Sequence, residues 1–316
     1  MQRRRVGVSG LEVSRLGLGT MSWGTDTDAD AAGEVLTAFV DAGGTLVETA
    51  DAYGDGAAQC VLARLLADVG RERLVLAVRC TLPGGALGDG PGRAALLTAL
   101  DATLARLGTD HVDLWQLPAF DPTVPLEETL SAVQVAVYAG KARHCGLIAP
   151  RGWQLATVAE RARALGPVTV PAAVQAEYSL LHRTAEHDLL PAAGHHGVGL
   201  LAWAPLGRGV LTGKYADGTP ADSRAASPAM APYVQARRNE RSGRIVAAVL
   251  TAADGLGTSP LAVALAWVRD RPGVASALVG ARDTAQLAAS LAAEPVTLPA
   301  EIRAALDDVS GIPPLD

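Results

Sequence analysis

Short apolar runs recur along the chain between Ala- and Leu-rich stretches whose apolar positions follow a helical period. Runs of this kind, bounded by Gly, Pro or charged residues, read as strands buried on both faces. The candidates are Arg15–Gly19, Thr45–Glu48, Leu74–Arg79, His111–Gln116, Arg143–Leu147, Ala173–Ala176, Gly199–Trp203 and Ala275–Val279. Helical stretches between them include Ala29–Asp41, Ala57–Ala67, Arg93–Leu107, Leu126–Ala139 and Gln154–Ala164. A polar hairpin-like segment, Val6–Val13, precedes the first strand. Strict alternation of strand and helix predicts a parallel sheet, and eight such units predict α/β architecture closed into a (β/α)8 TIM barrel with an N-terminal β-hairpin. An open doubly wound sheet is the alternative. Against it, no G-x-G-x-x-G follows the first strand, where Gly17-Leu18-Gly19-Thr20 is only a short Gly-bearing turn.

No linker-like shift in composition interrupts the 316 residues, so residues 1–316 are expected to form one domain. Two long loops fall after strands, on the face where barrel enzymes carry their function: Lys214–Gln235, and Leu82–Gly92, which is expected to be a variable surface loop. A formal charge of −6 disfavours nucleic acid or an anionic membrane as the partner. No apolar run reaches the ~18 residues of a membrane span, and the N-terminal segment lacks a secretory apolar core. Arg3-Arg4-Arg5 reads as a solvated end. Cys60, Cys80 and Cys145 are odd in number and widely spaced, as in reduced thiols of a cytoplasmic protein. The scarcity of lysine against arginine resembles high-GC bacterial coding. No metal-ligand spacing is present, and His195-His196 are expected to face solvent.

Six segments carry the chemistry. Val47–Gly54 reads V-E-T-A-D-A-Y-G, a strand running into an acidic turn with one tyrosine. GLEVSRLGLGTMSWG opens the chain; VQAEYSLLHRTAEHDLLP and LAWAPLGRGVLTGKY cover the sixth and seventh strands; LAVALAWV and LVGARDTAQL lie near its end. In this order the motifs resemble the aldo-keto reductase superfamily across almost the whole chain. The resemblance implies a barrel in which Asp, Tyr, Lys and His converge at the mouth. There the Tyr protonates a carbonyl oxygen while a nicotinamide delivers hydride, and a Lys paired with the Asp lowers the Tyr pKa.

Matched motif to motif, the Tyr is Tyr53, but the Asp position holds Glu48, the Lys position Arg79 and the His position Pro118. Glu48 and Arg79 can keep an ion pair, and a cation beside Tyr53 is expected to lower its pKa. Pro118 offers neither a side-chain donor nor a backbone N–H. Trp23 and Phe120, on loops after the first and fourth strands, join Pro118 as candidates for a substrate pocket, with generic packing as the other reading. For the cofactor the resemblance implies Thr20, Met21, Gln175 and Tyr178 around the nicotinamide, with Tyr178 stacking on its ring. It implies Pro205, Leu206, Gly207 and Gly209 along the pyrophosphate, and Gly280, Arg282 and Gln286 towards the adenosine phosphate. Ile148-Ala149 replaces the family's Ser-Asn, and Ala289-Ser290 its adenine-binding Glu-Asn. NADPH at a weakened site is therefore expected, or no cofactor as the alternative.

The chain is expected to be an enzyme. The preferred reading is one that has left ordinary carbonyl reduction, with Tyr53 and the Glu48–Arg79 pair serving elimination, isomerisation or cyclisation of a small molecule in specialised metabolism. The alternative is an NAD(P)H-dependent oxidoreductase acting on an activated carbonyl or a conjugated C=C bond. The third is a non-catalytic binding protein. Oligomeric state is open.

Overall fold

The computed structural model describes residues 1–81, 92–118, 124–166, 169–216, 218–221, 223–228 and 230–311. Its strands are β1 (Arg3–Arg5), β2 (Glu12–Ser14), β3 (Leu16–Gly19), β4 (Leu46–Ala50), β5 (Val75–Arg79), β6 (Val112–Pro118), β7 (Ala142–Ile148), β8 (Ala173–Glu177), β9 (Gly199–Trp203) and β10 (Val274–Val279). The last eight pair in parallel around a closed barrel in the order β10-β3-β4-β5-β6-β7-β8-β9. The helices are α1 (Ala29–Asp41), α2 (Ala57–Val69), α3 (Arg93–Leu107), α4 (Leu126–Tyr138), α5 (Gly152–Leu165), α6 (Leu189–His196), α7 (Ala231–Gln235), α8 (Glu240–Leu256), α9 (Pro260–Arg269), α10 (Thr284–Leu291) and α11 (Ala300–Val309). The alternation read from the sequence is the observed one.

Local chemistry fixes the helix ends. The side chains of Asp28, Asn239, Ser259 and Asp283 each accept a backbone N–H from the first turn of α1, α8, α9 and α10. Pro260 stands at the start of α9, where a missing N–H costs nothing. Among the described residues no single helix is long and apolar enough to cross a membrane. The largest apolar clusters lie between the barrel wall and the helices; one gathers Leu147, Val174, Leu200 and Trp267, the other Val35, Leu76, Leu100 and Trp115. Each such leucine fully buried is worth roughly 1.5–3 kcal/mol.

A smaller cluster fills the barrel itself. Leu46, Ala77, Leu114, Ala173 and Leu201 meet Val6, Leu11 and Val13 from the N-terminal hairpin, which stoppers the lower end. The hairpin's paired strands are β1 and β2, with Arg3 opposite Ser14, so Val6–Leu11 is the connection rather than a strand. Arg4 also departs from expectation. It lies on the inward side of β1 and donates to the carbonyls of Arg269 and Val274 and to Asp270. Arg3 and Arg5 remain exposed.

Side chains alternate along a strand, so the residue two positions on shares the same face. From the interior layer of Leu46, Ala77, Leu114, Ala173 and Leu201, the next layer upward is Glu48, Arg79, Gln116, Gln175 and Trp203. The hydrophobic plug thus sets the height and direction of a polar layer at the barrel's C-terminal end. The loop Lys214–Gln235 carries short helical turns, including α7; Leu82–Pro91 lies outside the described residues. His195 is exposed as expected, but His196 is 8% exposed. Arg163 Nη1 lies 3.0 Å from its Nδ1, and burial, Arg163 and His195 hold its pKa below the usual value. These disfavour the imidazolium, and a neutral ring can accept from the guanidinium through Nδ1.

Candidate active site

Glu48 lies in the middle of β4, and its carboxylate is almost wholly buried. The chain turns directly after the strand, where the Tyr53 N–H donates to the Ala50 carbonyl at 3.2 Å, and the left-handed Gly54, Asp55 and Gly56 then redirect it into α2. The Tyr53 hydroxyl donates to Glu48 Oε1 at 3.0 Å and accepts from Arg79 Nη1 at 3.1 Å. Arg79 Nη1 stands 4.0 Å from Glu48 Oε1. Gln175 Nε2, from β8, donates to the same Oε1 at 3.0 Å. The structure therefore brings Glu48, Tyr53, Arg79 and Gln175 into one network.

Its electrostatics correct one expectation. Burial raises the Tyr53 pKa and the Glu48 carboxylate adds to it, which together outweigh Arg79, so Tyr53 lies well above the usual phenol value. Glu48 is itself raised by burial, with Arg79, Gln175 and Tyr53 acting the other way. Burial opposes the Arg79 charge, but Tyr53 and Glu48 hold it firmly cationic. The physical reason is that the cation's charge is already answered by Glu48, so ionising Tyr53 would leave a net buried negative charge. Protonating Glu48 removes that obstacle.

Pro118 ends β6, half-buried and without a donor, paired in register with Ile148. Trp23 is not a pocket wall: it is fully buried in the outer core. Phe120 lies outside the described residues. Cys80 is a buried thiol pushed up to about 12 by burial and by Asp51, so it is no nucleophile. Asp51 instead receives the Thr81 N–H at 2.9 Å and fixes the chain leaving β5. Among the described residues no group of three or more His, Cys, Asp or Glu is placed to hold a metal ion.

The residues matched to a cofactor divide into two groups. Thr20 is buried with Oγ1 unpartnered, and Gln175 Oε1 is likewise buried and unpartnered. Met21 is 40% exposed beside them. Gly207, Arg208 and Gly209 are three successive left-handed residues after Pro205 and Leu206, a turn that presents backbone rather than side chains. Gly280 is exposed, and the Arg282 N–H donates to Gln286 Oε1 at 3.2 Å. These features fit the nicotinamide and phosphate end of a dinucleotide. Tyr178 does not fit its expected part. Its ring is fully buried 5.5 Å from that of Trp267, and its hydroxyl is bound by Glu186 and Arg271. It follows Glu177, whose side chain takes the inward direction, so Tyr178 points outward. The adenine end is also poor in donors: Ser290 Oγ turns back to the Gln286 carbonyl, and Ala289 has no polar group.

Several residues escaped the sequence reading. Trp203, two beyond the interior Leu201, is a second half-buried aromatic at the mouth in addition to Tyr53, and Arg208 lies 5.8 Å from its ring. Glu177 binds Arg208 at 3.1 Å and Arg237 at 2.8 Å, tying the segment after β9 to β8. Gln116, on the inner face of β6, is fully buried. The period-two count from each interior residue was the signal that marks Trp203 and Gln116.

Comparison with known proteins agrees with this geometry. An oxidoreductase of Bacillus subtilis strain 168, titled "Uncharacterized oxidoreductase YrpG", is 34% identical, covering 98% of this chain and 96% of its own length. A rice protein titled "Probable voltage-gated potassium channel subunit beta" is 33% identical over 93% of this chain and 91% of its own. "Aldo-keto reductase YhdN" of Bacillus subtilis is 31% identical over 92% and 87%. The model of the aldo/keto reductase family matches residues 15–310. With a closed parallel barrel, a tyrosine held between an acid and a cation at its mouth, and a match over nearly its full length, the chain belongs to the aldo/keto reductase family.

Proposed function

We propose that the protein is a nicotinamide-dependent oxidoreductase whose acceptor arrives already polarised: a conjugated C=C bond or an activated carbonyl. The observation that carries this reading is the network of Glu48, Tyr53, Arg79 and Gln175, set beside two buried, unpartnered oxygens on Thr20 and Gln175. Members of the family generally bind NADP(H). Here Thr20, Gln175 and Trp203 would hold the nicotinamide, the Gly207–Gly209 turn the pyrophosphate, and Arg282 the adenosine phosphate. When bound, the cofactor supplies hydride.

Tyr53 holds the proton that the acceptor receives, and Arg79 steadies the phenolate left behind. Glu48 determines how readily Tyr53 can donate, through its own charge. Pro118 provides no donor for the developing oxyanion; such a donor is worth about 10²–10³ in rate. An unactivated aldehyde needs that help, whereas a conjugated acceptor spreads its charge and needs less. Titration with NADPH and NADP⁺ by calorimetry tests the first half of the proposal, and micromolar binding is the expected result. No binding up to millimolar cofactor would sink it. Enones reduced faster than simple aldehydes would support the second half.

Cofactor-free acid–base chemistry is the second reading. It is favoured by the adenine end, where Ala289 and Ser290 offer no contact, and by the buried acid–phenol pair. The relatives titled potassium channel subunits give the binding-protein reading its support. A Tyr53→Phe variant with every measurable property unchanged would favour binding over both kinds of catalysis.

A further inference from the structure

Gln116 is fully buried in β6, yet neither its Oε1 nor its Nε2 has a hydrogen-bond partner in the protein. Two neighbours in the polar layer share this condition: Arg79 Nε and Gln175 Oε1. Arg79 is paired in register with Gln116 across the β5–β6 ladder. Gln175 lies on β8, on the far side of β7, where Gly146 is in register with Gln116 and contributes no side chain. A Cβ placed on Gly146 would stand 3.4 Å from Gln116 Cγ and 3.3 Å from Leu114 Cδ1, so it would project into the layer beside Gln116. The floor below is apolar, made by Leu114, Ala77 and Ala173.

These four atoms comprise two donors, Arg79 Nε–H and Gln116 Nε2–H, and two acceptors, Gln116 Oε1 and Gln175 Oε1. A water molecule offers the same complement in reverse, and buried waters typically make about three hydrogen bonds to groups left unsatisfied by the fold. The great majority of buried side-chain polar atoms have a partner in protein or ordered water, so four left unpartnered by the protein in one layer point to bound solvent. Direct pairing of the Gln116 amide with Arg79 or Gln175 is absent.

We propose that Gln116, Arg79 Nε and Gln175 Oε1 form an interior water site beside the Glu48–Tyr53–Arg79 network, in the same layer, and that Gln116 is thereby a positioning residue for it. Water held there donates to the two glutamine oxygens and accepts from Arg79 and Gln116. It fixes the plane of the guanidinium, so that Nη1 meets Tyr53, and it fixes the Gln175 amide with Nε2 towards Glu48. The Gln175 oxygen has two lone pairs, so the water leaves one for a carboxamide. The site stands whether or not the protein reduces anything.

The test has two arms. A high-resolution crystal structure of the unsubstituted protein should show ordered solvent within hydrogen-bond distance of Gln116 and Arg79 Nε. A Gln116 amide bonded directly to Arg79 or Gln175, with no solvent between, would overturn the proposal. This arm needs no variant to fold. The second arm uses Gln116→Met, close in length and without polar atoms. Carboxyl NMR titration of Glu48, assigned through Glu48→Gln, should show it about three- to ten-fold weaker as an acid once Arg79 and Gln175 are no longer fixed. An unchanged Glu48 titration in folded Gln116→Met would show that Gln116 positions nothing.

Discussion

Gln175 and Glu48 stand four strands apart around the barrel wall, and the amide of one meets the carboxylate of the other at 3.0 Å across the interior. The bond joins a residue that the family resemblance assigns to the cofactor with one that it assigns to proton transfer.

The buried Glu48 makes stability depend on pH in a definite sense. Its folded pKa is raised above the ordinary 4.5, so the folded state binds the proton more tightly than the unfolded chain. Its penalty is absent below 4.5, grows as pH rises through the window up to the folded pKa, and is complete above it. Every tenfold gain in proton affinity on folding corresponds to about 1.4 kcal/mol. Denaturant unfolding across this range should show that downward slope, and Glu48→Gln should abolish its part of it.

Replacing Arg79 by Met strips Glu48 of its cation in a buried setting. Loss of one member of such a pair costs about 3 kcal/mol at neutral pH, and the loss should shrink as acid protonates Glu48. An equal loss at all pH values, measured by the same unfolding curves, would mean that Arg79 contributes only packing.

Tyr53→Phe removes the proton donor but not the ring. Under the oxidoreductase reading, turnover should fall about 10²–10⁴-fold while NADPH affinity is unchanged. Steady-state kinetics and calorimetry on the same preparation separate the two effects.

Pro118→His restores a donor at the mouth. Reduction of simple aldehydes should rise by about 10²-fold, with little gain on enones. A folded, cofactor-binding variant with no gain would place the obstacle elsewhere in the site.

Trp203 and Tyr178 make opposite predictions. Trp203→Ala should weaken NADPH binding about ten-fold through loss of an aromatic contact, whereas Tyr178→Phe should leave the affinity alone and lower stability by about 1–2 kcal/mol. Thermal melts with and without cofactor distinguish them.

The barrel was legible because buried parallel strands and their helices leave distinct periods in the chain; α1 and α3 begin and end where the pattern places them. Glu48, Tyr53 and Arg79 were also legible as neighbours, because β4 and β5 are adjacent in the predicted order. What the motif could not supply was direction. Tyr178 and Trp203 are both aromatics near strand ends, and only counting alternation from Leu201 and from Gln175 sends one inward and the other outward. The sign of the Tyr53 shift was hidden for a different reason. It depends on how much burial surrounds three charges, which no spacing in the sequence records. Arg4 was misread because a basic run near a terminus looks the same whether its middle residue faces water or two carbonyls and a carboxylate.

Arg4 has one more consequence. Its partners Arg269, Asp270 and Val274 lie more than 260 residues downstream, and β3 closes the barrel only by pairing with β10. During synthesis the stopper and the opening strand must therefore wait, unpaired on that side, until nearly the whole chain has left the ribosome. β3 reads Leu-Gly-Leu-Gly, a short edge with few side chains to offer a stray strand. A sequence so plain is suited to a long wait, and enriching it with β-branched residues would be expected to trade soluble yield for inclusion bodies.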